Sequence, residues 1–222
     1  MKTIVKTTAI MIVSTLTFSS PILADLPLAV SAKCSTLGLG GEAHLQITPG
    51  INARLGANVF DLDLDGTKSD IEYDFGLDLL SCSALFDWHV FGGSFRITAG
   101  VILNDTNVDL TAKSATSLTI GDETYTTDEI TSLTGQMTFN DIAPYVGFGW
   151  GSAFDNEGRW GIITDFGVAF IGSPKVALSA SGPLSDNDIF LTELERERTQ
   201  FEEDIKEFKF YPVISLSLFY RF

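Results

Sequence analysis

The chain has 222 residues, with 14 Lys and Arg against 29 Asp and Glu, a formal charge of −15 at pH 7, two histidines and two cysteines. That balance excludes nucleic acid as a partner, since a phosphate backbone is held by a basic surface. Two cysteines are too few for a disulfide framework, and past the N-terminus no run reaches the roughly 18 consecutive apolar residues of a spanning helix, which leaves a secreted soluble protein or a membrane barrel.

The N-terminus supplies the compartment. Lys2 and Lys6 precede an apolar stretch, Ala9 to Phe18, and Pro21-Ile-Leu-Ala24 ends on a small residue. This is the layout of a secretory signal peptide over 1–24, with 25–222 left as one domain. The 20 glycines, 17 phenylalanines and 19% charged residues favour the barrel. An all-β fold is expected: an eight-stranded antiparallel transmembrane barrel with long extracellular loops. The strands fall near 26–33, 37–47, 51–65, 70–90, 94–112, 134–151, 159–180 and 209–222.

In chain order, the first strand ends at a tight turn, Cys34–Thr36. In 37–47, Leu37, Leu39, Ala43, Leu45 and Ile47 form the lipid face and leave Glu42, His44 and Gln46 inside. The turn Thr48-Pro49-Gly50 then sets His44 opposite Arg54, with Glu42 diagonal to it, and Asn52 and Asn58 also point inward. Asp61-Leu-Asp-Leu-Asp-Gly66, followed by Glu72, has the spacing of a calcium loop, but strand patterns flank it rather than helices, so at most a looser metal-binding loop is expected. In 70–90 the apolar residues shift from odd positions (Tyr73, Phe75, Leu77, Leu79) to even ones (Leu80, Ala84, Phe86, Trp88), which predicts a β-bulge near 79–81. Across Phe91–Ser94, His89 faces Arg96 and Asp87 faces Thr98.

Strand 134–151 sets Ile142, Val146, Phe148 and Trp150 against Asp141, Tyr145 and three glycines. Strand 159–180 sets Trp160, Ile162, Phe166, Val168 and Phe170 against Asp165 and small residues. Trp150 and Trp160 bracket the turn 152–158, as an interfacial girdle would. The acidic segment 186–207 carries Ile189, Leu194, Phe201 and Ile205 on a loose stripe, with Leu191 off it, and reads as a short helix in an extracellular loop. In the last strand Ile214, Leu216, Leu218, Tyr220 and Phe222 alternate with Ser215, Ser217 and Arg221, and the terminal Phe222 resembles the residue that barrel-insertion machinery reads.

Gly135-Gln-Met-Thr-Phe-Asn-Asp-Ile-Ala-Pro-Tyr-Val-Gly-Phe-Gly149, Trp160-Gly161 and Phe170-Ile-Gly-Ser-Pro-Lys-Val176 together resemble the CarO-type outer-membrane proteins. The resemblance implies an eight-stranded barrel in the outer membrane, in contact with lipid and lipopolysaccharide. It also implies uptake of ornithine and other basic amino acids and a bearing on carbapenem susceptibility; it supplies no binding residues.

The candidate site is therefore the lumen: Glu42, His44, Arg54, Arg96, Asp141, Tyr145 and Asp165. Buried charges persist only in pairs, so these should form a network, either a narrow polar path for small cationic, amino-acid-like solutes or the packing of a small barrel. The acidic loops suit cations, lipopolysaccharide or another surface partner. No zinc spacing and no phosphate loop occur, and no cofactor is expected. The two histidines both map near periplasmic turns, so an enzyme of the outer leaflet is not expected.

Overall fold

A computed structural model describes residues 27–68, 71–114, 117–120, 123–126, 128–154 and 158–222. The signal peptide expected over 1–24 lies outside the described residues. The strands are β1 (Leu28–Ser35), β2 (Gly38–Thr48), β3 (Ile51–Lys68), β4 (Ile71–Trp88), β5 (Phe95–Ser114), β6 (Ser117–Ile120), β7 (Glu123–Thr126), β8 (Ser132–Thr138), β9 (Ile142–Trp150), β10 (Trp160–Phe170), β11 (Lys175–Ser181) and β12 (Phe210–Arg221); the helix α1 (Asp188–Ile205) precedes β12. Eight of the strands close into an antiparallel ring, β1-β2-β3-β4-β5-β9-β10-β12, with β12 returning to β1 and β5 bonded to β9. Closure leaves no bare backbone within hydrocarbon, and the outward residues in that zone are apolar, among them Leu39, Leu55, Phe86, Ile142, Ile162 and Leu216. Trp88, Trp150, Trp160, Tyr220 and Phe222 cluster at the periplasmic rim, with the Trp160 and Tyr220 rings 4.7 Å apart. Cys34 and Cys82 are free and face outward from non-adjacent strands.

Two expected strands are each broken in two. The chain leaves the ring after β10, where Gly172 adopts a left-handed φ of 74° and Pro174 follows, and it rejoins at β9 after 139–141. The freed pieces, β8 and β11, pair with each other, and β8 pairs with the upper half of β5. A five-stranded sheet, β3-β4-β5-β8-β11, thus stands above the ring on the extracellular side.

The expected bulge at 79–81 is absent: β4 keeps one unbroken register with both β3 and β5 from Ile71 to Trp88. What changes there is the solvent. Below Leu80 the outward positions meet lipid and are apolar; above it they meet water and become Asp78, Asp74 and Glu72, while Tyr73, Phe75, Leu77 and Leu79 turn to the concave side. β3 does the same, with Leu55 and Val59 outward in the bilayer and Asp61, Asp63 and Asp65 outward above it. The Asp61–Gly66 segment is accordingly strand, not a metal loop, and no cluster of three or more metal-ligating side chains occurs among the described residues.

The helix starts where Asn187 caps the amides of Ile189 and Phe190. Its buried residues are Phe190 and Leu194, packed with Ile120, Ile130, Leu133 and Leu178 on the concave side of the β8–β11 pair. Ile189, expected on the buried stripe, is 74% exposed.

Candidate functional site

Seen from the periplasm upward, three layers stand out among the buried side chains of the barrel interior, beside a polar pair on the β3–β4 wall, where Asn58 donates to Ser81 at 3.1 Å. The lowest is apolar: Phe219, Ile163, Ala29 and Ala153, with Phe154 from the β9–β10 turn packed against them. Arg221 donates to the Phe154 carbonyl at 3.3 Å and ties that turn beneath the ring.

The middle layer is ionic. Arg54 reaches from β3 across the lumen to Asp165 on β10 through two hydrogen bonds of 3.0 and 3.1 Å, and also meets Asp87 at 2.8 Å and Glu42 at 3.2 Å. Arg96 from β5 lies against the same two aspartates, at 2.5 Å from Asp165 and 3.4 Å from Asp87, and donates to the Gly151 carbonyl. Lys33 holds the other oxygen of Glu42 at 2.9 Å. Thr98 donates to Asp87 at 2.7 Å and Ser215 to Asp165 at 3.0 Å. Three cations thus face three carboxylates, all buried, with Arg54 and Arg96 each 1% exposed. His44 hydrogen-bonds Ser31 at 2.8 Å and stands 4.0 Å from Glu42. Glycine makes room for this layer: a Cβ at Gly149 would press on the Arg96 guanidinium.

The upper layer is apolar again: Leu37, Leu85, Ile102, Ala143, Tyr145, Ala169, Ile171 and Val213. The Tyr145 ring covers Gly147 and Gly167, where a Cβ would collide with its hydroxyl.

Of the sequence candidates, Glu42, His44, Arg54, Arg96 and Asp165 come together in the ionic layer, and the His44–Arg54 and Asp87–Thr98 pairings occur in register. Tyr145 points inward one layer higher. Asp141 does not join: it precedes β9, its side chain is exposed, and its carbonyl accepts from the Asn104 amide. The break at 139–141 takes it off the strand's alternation. His89 lies beyond the end of β4 and bonds Asn52 and the Gly93 carbonyl instead of facing Arg96. Leu37, expected against lipid, is in the upper layer, because Gly38 (φ 104°) reverses the alternation at the β1–β2 turn. The sequence reading missed Lys33 and Phe219. Ser31 and Ser35, at the same parity as Lys33, and Ser215 and Ser217, at the same parity as Phe219, signalled inward positions for both.

A closed ring with an outward apolar belt, an aromatic periplasmic rim and buried charges inside defines an outer-membrane β-barrel protein. In structure it is similar to two proteins of Acinetobacter baumannii. CarO is 24% identical, with a TM-score of 0.59 over 88% of this chain and 98% of that one; CarO2 is 26% identical, with a TM-score of 0.60 over 89% and 99%. No protein-family model and no curated protein matches the chain. The similarity extends well beyond the 135–178 segment that carried the sequence resemblance.

Proposed function

We propose that this outer-membrane barrel is closed to solutes and works through its extracellular sheet. One observation carries the reading: the Arg54–Asp165 link spans the lumen between opposite walls, with apolar layers above and below it. A path for small cationic, amino-acid-like solutes would have to break those bonds and move both apolar layers at once. An eight-stranded ring has room for its own side chains and little else. Purified protein in planar bilayers should therefore give no steps above background with KCl or lysine chloride, and vesicles carrying it should not swell in isotonic ornithine. Steady unitary conductance would overturn the closed reading and restore the channel.

The outward side of the sheet suits divalent cations that bridge to lipopolysaccharide phosphates, since it sets carboxylates directly above the lipid belt. Asp61 faces Asp78 and Asp65 faces Asp74 across β3 and β4. Partial burial, then the carboxylates of Asp61, Asp63 and Asp109, raise the Asp78 carboxyl above its ordinary range. A carboxyl raised in this way favours the fold while protonated, below its unfolded pKa, and that contribution is lost as pH rises through the folded pKa. Asp78→Asn should accordingly slow hydrogen exchange of the β3–β5 amides above the bilayer at pH 7, with no difference from wild type near pH 3. Mg2+ should protect the native sheet more than the variant. Equal protection at pH 7 without Mg2+ would remove the repulsion argument.

A further inference from the structure

The extracellular sheet has two edges, and they are treated differently. At one, α1 lies along β11, where the Val176 amide donates to Glu202 at 2.9 Å. At the other, β2 stops pairing with β3 at Leu39–Val59, while β3 runs on to Lys68, bonded only to β4 among the described strands. From Phe60 onward every second residue must turn its N–H and C=O away from β4, toward no described neighbour. A bare edge of this length is a template for another strand.

The side chains along it alternate by chemistry. Asp61, Asp63 and Asp65 project from the convex face, and Phe60, Leu62 and Leu64 from the concave one, with Phe60 and Leu64 well exposed. We propose that this edge accepts an extended peptide whose residues alternate basic and apolar, added as a further strand beside β3. Main-chain bonds would hold it, its apolar side chains would extend the concave wall, and its lysines or arginines would lie beside the three aspartates. A second copy of the chain fits worse: the register that keeps apolar beside apolar sets aspartate against aspartate, which is repulsive. The inference rests on the reading that the barrel is closed and works through its extracellular sheet; conductance tests the closure, and peptide binding tests the edge, so the two can fail separately.

The test uses the folded protein in detergent and a nine-residue peptide of alternating lysine and valine, followed by fluorescence anisotropy. Two control peptides are the same residues in blocks and the alternating sequence with every second amide N-methylated on its binding edge. Saturable binding of the alternating peptide is expected, weakened at least about tenfold in either control. The triple variant Asp61→Asn, Asp63→Asn, Asp65→Asn should weaken it by a similar factor while retaining the heat-dependent gel mobility of a folded barrel. Equal binding of the block peptide or the methylated one would mean an unspecific acidic surface and overturn the proposal, as would the absence of saturable binding. Concentration-dependent self-association that the peptide fails to reverse would assign the edge to a second copy instead and likewise overturn it.

Discussion

Replacing Arg54 by methionine should destabilise the barrel by about 3–5 kcal/mol, the cost of stranding buried charge when one partner of a buried ion pair is removed. Arg54 is the only group in the ionic layer that touches Glu42, Asp87 and Asp165 together. Without it Lys33 still neutralises Glu42, but Arg96 alone must serve both aspartates, and one negative charge is left over. Arg54→Lys should be only partly better, because an ammonium cannot imitate the fork that holds both Asp165 oxygens. Combining Arg54→Met with Asp165→Asn restores the charge balance and should recover part of the loss, so the two changes should be non-additive. The measurements are the urea midpoint in detergent and the temperature at which the folded electrophoretic form disappears. A polar solute path makes a different prediction for the same variant: conductance changes with little loss of stability.

The ring itself was legible because alternation and turn length are local. A short turn fixes which residues oppose, and the pairings His44–Arg54 and Asp87–Thr98 followed from turn positions alone. The Arg54–Asp165 bond was not legible as a contact, since it joins strands that are not neighbours, across the curvature of the closed sheet. The bulge expected near 79–81 shows how alternation misleads. A strand that leaves the bilayer exchanges its apolar face without shifting register, because the outward side passes from lipid to water. The same inversion explains why Asp61, Asp63 and Asp65 looked like a metal loop. On α1 the sequence placed Ile189 on the buried stripe, and the position of the β8–β11 pair selects its neighbour Phe190 instead.

Phe219→Ala should be nearly as damaging as loss of Arg54, by about 3–5 kcal/mol, the range for a buried phenylalanine cut back to alanine. The side chain is fully buried on the inward face of β12, and Gly161 on β10 leaves the space its ring fills. Ala29, Ile163 and Ala153 surround it, with Phe154 packed against them. The terminal Phe222, three residues on, provides the contrast: it is exposed at the rim, with its ring 5.3 Å from Tyr220. Phe222→Ala should leave the refolded barrel within about 0.5 kcal/mol of wild type, as for surface changes generally. If the insertion machinery reads that residue, its loss should instead slow assembly in cells. Because the ionic and upper layers stay intact, Phe219→Ala should still show no conductance. Equal loss of stability in the two variants would mean that the rim, not the lowest layer of the interior, holds the closing strand in place.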